Sequence, residues 1–547
     1  MKYRGLLLLT VAGLAPSTGL ANSHSCHTSS CSADAINISP IFGLEIVSIE
    51  ANAVYNASIN LDGALQNSFS ATGNATGVSY CNVTVTTQRP GYADNSIKTG
   101  IILPLYSSDW NERMLGVGGG GFVAGNIPPR VIGPLAYGWA TVSTSAGVSR
   151  NTMADHTIEG QNSDHWALRS TGNVDLEALA DFGYRSLGDA AVIGKQVIES
   201  FYGRPPLYRY WNGCSTGGRQ ALMLAQRYPD AYHGLLGSCP AINWARFLSA
   251  DIVPQIVLKD LAGEQIPPPS EFAAITAAAL EVCDELDGVR DGYVLDPSKC
   301  EFKASSVLDQ VIPCPDIPRG MATISEAAVK AAEVAWAGYQ THASDRRYYG
   351  VSRTTNITGR GSLLDTTCDE EGTCALAPFG IALNWVKNFL MKDLDADPMN
   401  LTLSQFDRLW QLSVQEWSSF MSTDDPDLRA FKATGGKLLS WHGLDDIQIQ
   451  SGGTEEYYNR VLAIDPDAAD YFRYFEAPGI GHCSGGFGSY PGDAMQSLMD
   501  WVEQGEPPKT LYGRTPAGVE RRLCLYPKKI VYDGEGDPTA ESSFSCV

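Results

Sequence analysis

One serine lies in a turn whose composition suits a nucleophile. The aromatic run at residues 208–211 is typical of a buried strand, and helix-forming residues follow Gly217. The turn between them reads Gly-Cys-Ser-Thr-Gly and matches G-x-S-x-G, a sharp strand-to-helix turn that exposes a serine hydroxyl. The pattern predicts Ser215 as the nucleophile and the N–H of Thr216 as an oxyanion donor, against the alternative of an ordinary glycine-rich turn.

An acid and a histidine follow much later in the chain. Strand-like residues 438–441 lead to His442 and then to the acids Asp445 and Asp446, and a second glycine-rich loop carries His482. The order Ser215, Asp446, His482 is that of an α/β-hydrolase triad. His442 is a rival base, but it precedes the acid and stands too near it in sequence.

Four consecutive glycines, residues 118–121, follow an earlier strand-like run. A phosphate-binding loop is disfavoured because no Lys-Ser/Thr pair follows. In α/β-hydrolases a glycine-rich loop after an early strand supplies the second oxyanion donor. That interpretation fits better than a flexible glycine turn.

Two cysteines flank the proposed reacting residues: Cys214 precedes Ser215, and Cys483 follows His482. A disulfide between them would bring their Cα atoms within about 7 Å. Such a bond would by itself place the serine beside the histidine.

A separate stretch, residues 283–293, interleaves three aspartates with two glycines. Carboxylate oxygens are the ligands that a hard cation such as Ca²⁺ prefers. The spacing is not that of an EF-hand, and a pair of Asp-Gly turns is the alternative. Cys300 follows Cys283 closely enough to close this loop by a disulfide.

The elements around these motifs indicate the fold. Short strands are expected in residues 40–113, a strand at 137–145, a helix at 174–199 and a strand at 234–239, an alternation typical of a mostly parallel sheet. Residues 245–430 break this pattern with helices at 272–286, 325–339, 381–391 and 403–420. The sequence therefore predicts an α/β-hydrolase fold, in segments 22–244 and 431–547, with a large inserted lid domain at 245–430.

The N-terminus and the composition indicate secretion. Residues 1–21 have the basic start, apolar run and small residues of a secretory signal peptide. All 13 cysteines lie after it, which predicts disulfides with one thiol left over. Glycosylation sequons occur at Asn56, Asn74, Asn82, Asn356 and Asn400. The net charge of −22 argues against nucleic acid or an anionic membrane as a partner.

At these motifs the chain resembles the tannase and feruloyl esterase family over nearly its whole mature length. The resemblance rests on residues 213–220, on His442-Gly443 with Asp446, on residues 481–486 and on residues 283–293. It implies a triad of Ser215, Asp446 rather than Asp445, and His482, with a Cys214–Cys483 disulfide. It also favours Gly121 with Thr216 as oxyanion donors, with Gly120 as the alternative to Gly121.

The same resemblance implies a structural calcium site in the lid. Its ligands would be the side chains of Asp284, Asp287 and Asp291 and the main-chain oxygens of Val289 and Tyr293. No organic cofactor is implied.

We therefore expect a secreted, extracellular serine esterase that acts on a small aromatic ester through an acyl-enzyme. Feruloyl and other hydroxycinnamoyl esters are the first expectation, galloyl esters the second and simple aryl or alkyl benzoates the third. A non-catalytic binding protein with this fold is the alternative from another class, although such proteins usually lack a triad residue. The pairing of Cys26, Cys31, Cys81, Cys239, Cys314, Cys368, Cys374, Cys524 and Cys546 does not follow from the sequence.

Overall fold

A computed structural model describes residues 31–61, 73–125, 128–148, 162–340 and 347–547 of the chain. Its central element is a nine-stranded sheet of order β1-β2-β3-β5-β4-β6-β7-β8-β9. The strands are β1 (Glu45–Asn60), β2 (Asn74–Arg89), β3 (Tyr92–Pro104), β4 (Arg113–Val117), β5 (Ala140–Thr144), β6 (Tyr208–Cys214), β7 (Gly234–Ser238), β8 (Lys437–Gly443) and β9 (Phe472–Ala477). Five further two-stranded pairs lie outside this sheet.

The sheet is antiparallel on one side and parallel on the other. Strands β1, β2, β3 and β5 pair antiparallel, whereas β5, β4, β6, β7, β8 and β9 pair parallel. The prediction of short strands in residues 40–113 was wrong, because β1 and β2 have 16 residues each and β3 has 13. Strand β1 lies at the sheet edge with most side chains exposed or half-buried, so it lacks the alternation that reveals a strand in sequence.

The parallel strands bring the candidate catalytic residues to one edge of the sheet. Strands β6 and β8 both pair with β7, and β9 pairs with β8. In parallel α/β sheets, ligands bind outside the carboxyl ends of the strands. The loops after β6, β8 and β9, which carry the serine, the acid and the histidine, meet at that edge.

The helices confirm the expected pattern with shifted bounds. They are α1 (Pro128–Ile132), α2 (Leu176–Ala180), α3 (Ser186–Tyr202), α4 (Thr216–Arg227), α5 (Trp244–Ala250), α6 (Val253–Ala262), α7 (Pro269–Cys283), α8 (Glu326–Ala337), α9 (Gly380–Trp385), α10 (Leu403–Met421), α11 (Arg429–Ala433), α12 (Gly452–Ile464) and α13 (Ala494–Gln504). Two π-helical segments, Asp181–Arg185 and Val386–Met391, interrupt what the sequence presents as continuous helices. Among the described residues of 245–430, none forms a strand of the nine-stranded sheet, and the domain boundaries stay a prediction.

An aromatic cluster packs the helical insertion onto the sheet domain. Phe122 of the glycine-rich loop contacts Trp166, Trp244 and Phe389, with ring centroids 5.7–6.1 Å apart. All four rings are buried. Because burying one large apolar side chain stabilises by about 1.5–3 kcal/mol, this cluster fixes the insertion above the glycine-rich loop.

Five disulfides join described residues, and two of them were expected. They are Cys31–Cys81, Cys214–Cys483, Cys283–Cys300, Cys368–Cys374 and Cys524–Cys546. The prediction of a single leftover thiol was wrong, because Cys239 and Cys314 are both free. Both are fully buried, in different parts of the fold. Cys239 directly follows β7, and Cys314 lies in the insertion.

The N-terminal predictions lie largely outside the described residues. Both the expected signal peptide, residues 1–21, and Cys26 precede residue 31. In the part of the chain that is described, no helix has the length and apolar character needed to cross a membrane.

Candidate active site

The turn after β6 has the strained geometry that the serine motif requires. Ser215 has φ 64° and ψ −121° between the end of β6 and the start of α4. A side chain at Gly213 would place its Cβ only 2.5 Å from the backbone of Gly217, so only glycine fits there. The left-handed backbone of a non-glycine residue is costly and typical of functional turns.

The glycine-rich loop lies directly against this turn. A Cβ on Gly118 would stand 2.6 Å from Cα of Gly217, and the Thr216 hydroxyl donates to the carbonyl of Gly121 at 2.7 Å. Neither the Gly121 nor the Thr216 N–H has an acceptor among the described residues. Two unpaired N–H groups beside the serine have the character of an oxyanion hole.

Gln220, which sequence reasoning missed, positions the glycine-rich loop. Its Oε1 accepts from the N–H of Gly119 at 3.1 Å, and its Nε2 donates to the carbonyl of Ala124 at 2.8 Å. The side chain is fully buried on α4. The signal in the sequence was a polar residue on the apolar face of the helix after the serine turn.

Asp446 holds His482 from a buried position. His482 Nδ1 lies 2.8 Å from Asp446 Oδ2, and the acid's side chain is 0% exposed. The other oxygen, Oδ1, accepts from the N–H groups of Gln448 and Ile449, both at 2.9 Å. Burial would raise the pKa of Asp446, but the neighbouring histidines outweigh it and hold that pKa well below its ordinary value.

His442, the rival base, is buried behind the same carboxylate. Its Nε2 lies 3.1 Å from Asp446 Oδ2 and 3.0 Å from the carbonyl of Ile449. Because a carbonyl can only accept, Nε2 carries a hydrogen and donates to both oxygens. The side chain is fully buried, so His442 supports the acid and has no access to substrate.

A disulfide joins the loops that carry Ser215 and His482, as expected. Cys214 and Cys483 are bonded with Cα atoms 5.9 Å apart across a sequence separation of 269 residues. The His482 side chain is 13% exposed. The Ser215 hydroxyl has no hydrogen-bond partner among the described residues, and catalytic hydrogen bonds often tighten only in the substrate complex.

Asp445, beside the acid, has a different role. Its Oδ1 accepts from the hydroxyls of Thr354 and Thr355 in the insertion, at 2.9 and 3.2 Å. Burial raises the pKa of Asp445. The loop 445–450 is called the acid loop below. It contacts His482 through Asp446 and the insertion through Asp445.

An apolar pocket opens at the serine. Its empty space of about 240 Å³, part of it open to solvent, is bordered by Gly121, Ser215 and Thr216 on the catalytic side. Most of the remaining wall consists of apolar side chains, among them Trp244 and Phe379. A flat aromatic acyl group suits this composition.

The aspartate-rich segment 284–293, called the lid loop below, is closed by the Cys283–Cys300 disulfide. Asp284 accepts from the Gly292 N–H, and Asp287 accepts from the Leu295 N–H at 2.7 Å. Burial, followed by the charges of Asp287 and Asp284, raises the pKa of Asp291 to about 6. Arg521 lies 4.0 Å from Asp291 Oδ2.

The donor chemistry of the lid loop fits a hard cation. Three carboxylates are partly buried together, and their mutual repulsion is only weakly compensated. Among described residues, three candidate ligand atoms lie within 4.8 Å of one another only at Cys239, His442 and Asp446, which belong to the catalytic network. The three lid-loop carboxylates do not come within that spacing of one another.

The sequons lie on accessible surface. Asn56, Asn74, Asn356 and Asn400 are exposed, and Asn82 is half-buried. The four exposed asparagines are therefore more accessible to a glycosylating enzyme in the folded chain than Asn82.

Comparisons with known proteins agree with this geometry. The family described as "Tannase and feruloyl esterase" matches residues 81–547. A probable feruloyl esterase from Arthroderma benhamiae is 35% identical over 86% of each chain, and a mono(2-hydroxyethyl) terephthalate hydrolase from Piscinibacter sakaiensis is 30% identical over 80% of each. A solved tannin acyl hydrolase from Aspergillus niger superposes with a TM-score of 0.82 at 25% identity, over 95% of both chains.

Proposed function

The chain belongs to the tannase and feruloyl esterase family and is a feruloyl esterase-like carboxylic ester hydrolase, and we propose that it cleaves hydroxycinnamoyl esters through an acyl-enzyme on Ser215. The observation that carries the proposal is the 2.8 Å contact between His482 Nδ1 and Asp446 Oδ2 at the disulfide that joins the two catalytic loops. It orients His482 so that Nε2 is the nitrogen left for the serine.

The reaction follows from these groups. His482 Nε2 takes the Ser215 proton as Oγ attacks the ester carbonyl, and Asp446 stabilises the imidazolium. The N–H groups of Gly121 and Thr216 bind the oxyanion of the tetrahedral intermediate. The alcohol leaves with the proton from His482, water enters, and the same steps release the aromatic acid.

The pocket beside Ser215 supports an aromatic acyl group. Its wall of aromatic and aliphatic side chains buries a planar ring without charged partners. Galloyl esters are the second candidate because a tannase from Aspergillus oryzae is 26% identical over 91% of this chain. Simple benzoates are the third.

Hydrolysis of methyl ferulate by the purified protein tests the proposal. Ser215→Ala and His482→Ala should each reduce kcat to the background, a loss on the order of 10⁶-fold in comparable triads. Both variants should keep the far-ultraviolet circular dichroism and the melting temperature of the parent. Turnover retained by Ser215→Ala would contradict the proposed nucleophile.

We also propose that the enzyme is secreted, N-glycosylated and calcium-bound. The exposure of Asn56, Asn74, Asn356 and Asn400 supports glycosylation, which mass spectrometry before and after glycosidase treatment would detect. For calcium, the side chains of Asp284, Asp287 and Asp291 with the carbonyls of Val289 and Tyr293 would hold the ion. Its contribution would be structural, since it would neutralise these carboxylates within the insertion.

A further inference from the structure

The acyl pocket is almost without polar side chains. The described residues that line it are Gly121, Ser215, Thr216, Ala241, Trp244, Phe247, Leu248, Phe379, Ile381, Gln448 and Ile449. Two of the three polar ones belong to the reaction centre, because Ser215 is the nucleophile and the Thr216 hydroxyl is bonded to Gly121. Among the described lining residues, two offer polar side-chain atoms that catalysis does not use: the amide of Gln448 and the indole N–H of Trp244, which is buried and has no hydrogen-bond partner.

The backbone of Gln448 is fixed, whereas its side-chain amide is available. Its N–H donates to Asp446 Oδ1 at 2.9 Å, which ties this residue to the catalytic acid. Its amide has no hydrogen-bond partner within the described part of the chain. A half-buried amide without a protein partner is suited to bind a ligand group.

Gly361 of the insertion makes room for this amide. A Cβ built on Gly361 would lie 2.7 Å from Gln448 Nε2 and 3.7 Å from the ring of Phe379. The amide therefore lies beside Phe379, at the aromatic wall of the pocket. A ring held against that wall would bring a substituent within reach of Gln448.

We propose that Gln448 is a specificity-determining residue, whose amide hydrogen-bonds a single ring hydroxyl of the acyl group. The inference rests on the proposed esterase function and deepens it. A phenolic hydroxyl both donates and accepts, so the bond forms whichever end of the amide faces the ring. A feruloyl ring, with one hydroxyl and one methoxy group, matches a wall that offers one side-chain amide.

The same pocket disfavours the galloyl group. Three adjacent hydroxyls would enter an apolar wall that offers one amide, and a buried hydroxyl left unpaired loses its hydrogen bonds to water. We expect kcat/KM for methyl gallate to be at least about tenfold below that for methyl 4-hydroxybenzoate, which has the same acyl length.

The experiment measures kcat/KM for methyl cinnamate, methyl m-coumarate and methyl p-coumarate, which differ only in the ring hydroxyl. The parent enzyme should prefer one hydroxylated ester over methyl cinnamate by about tenfold, the contribution of one hydrogen bond. Gln448→Leu should bring that ratio close to one. Ile381→Leu, a volume-conserving change elsewhere in the wall, should leave the ratio at the parent value and serves as the control.

Each outcome supports or overturns the role of Gln448. An unchanged kcat/KM ratio between the hydroxylated ester and methyl cinnamate in Gln448→Leu overturns it. The same holds if all three esters slow equally, because that loss would come from the contact with Asp446. A parent enzyme that hydrolyses the esters without any preference overturns it as well. If Gln448→Leu does not fold, Gln448→Met, which keeps the side-chain length, gives the same readout. A parent that hydrolyses none of them contradicts the proposed function itself.

Discussion

The acid loop and the lid loop both bury aspartates near a disulfide, but they compensate the charge differently. In the acid loop, the two oxygens of Asp446 accept from two backbone N–H groups and two imidazoles, and its pKa is lowered. In the lid loop, Asp291 faces Asp287 and Asp284 with Arg521 4.0 Å away, and its pKa is raised to about 6.

The difference separates two uses of a carboxylate. Asp446 must be ionised in a fixed position whatever is bound, so the protein itself supplies every partner. The lid loop instead has excess negative charge that a cation from solution can neutralise. The lid loop also lies against the loop that carries His482, because a Cβ on Gly479 would lie 2.5 Å from the ring of Tyr293.

Replacing the acid by its amide tests the first half of the comparison, with the largest expected effect. In Asp446→Asn the carbonyl oxygen must face the N–H groups of Gln448 and Ile449, so the NH₂ group faces His482 Nδ1. His482 then presents Nδ1 as an acceptor, carries its hydrogen on Nε2, and cannot take the Ser215 proton. We expect kcat to fall about 10⁴-fold.

Asp445→Asn is the matched control for that variant. Its oxygen can still accept from Thr354 and Thr355, and His482 keeps its partner. We expect kcat within about threefold of the parent, since the asparagine amide oxygen preserves both contacts. A larger loss in Asp445→Asn than in Asp446→Asn would show that the acid has been assigned to the wrong residue.

The two disulfides distinguish catalytic from structural restraint. Without the Cys214–Cys483 bond both catalytic loops can shift, and a displacement of about 1 Å can cost 10²-fold in rate. Cys214→Ala, Cys483→Ala and the double variant should therefore lose similar amounts of kcat, because one bond is lost in every case. Chain entropy sets an upper limit of about 5 kcal/mol on the accompanying loss of stability.

The Cys283–Cys300 bond provides the control, because it has the same chemistry and closes the lid loop. The double variant Cys283→Ala/Cys300→Ala should lose stability, by about 3 kcal/mol at most for a loop of 17 residues, with little loss of kcat. Urea unfolding and steady-state kinetics on both pairs make the comparison. Equal effects on kcat would mean that the first bond has no special catalytic role.

His442 gives a smaller effect at the acid loop. His442→Leu removes one donor to Asp446 Oδ2, whereas His442→Gln can still offer an N–H. Since a hydrogen bond to a charged group contributes about 1.5–3 kcal/mol, kcat should fall roughly 10-fold or more in the first variant and less in the second. Because His442 is buried away from the pocket, KM should change less than kcat. A change in KM alone, with kcat unchanged, would contradict a role through Asp446.

Sequence patterns predicted two disulfides and the pairing of Asp446 with His482, because each lies in a short motif of unusual composition. The catalytic roles of Ser215, Asp446 and His482 stay predictions. They did not predict that His442 supports Asp446, since that contact depends on how the loop after β8 folds back on its own strand. The function of Gln220 was also missed, because its two partners lie about 100 residues away. The length of edge strand β1 was not predicted, because exposure on both faces removes the alternation.

Chelation tests the other half of the comparison, with the smallest expected effect on rate. If a cation neutralises the lid loop, it binds the folded state more tightly than the unfolded one and raises the melting temperature by mass action. A chelator should lower the melting temperature of the parent by several degrees, and added calcium should restore it.

Asp291→Asn should weaken this response, because it removes one ligand, while Asp309→Asn on an exposed turn of the insertion should leave it unchanged. The effect on kcat should be modest, transmitted only through the contact of Tyr293 with Gly479 near His482. A melting curve that chelator does not move, together with no calcium by elemental analysis, would leave the lid loop as two Asp-Gly turns without a metal.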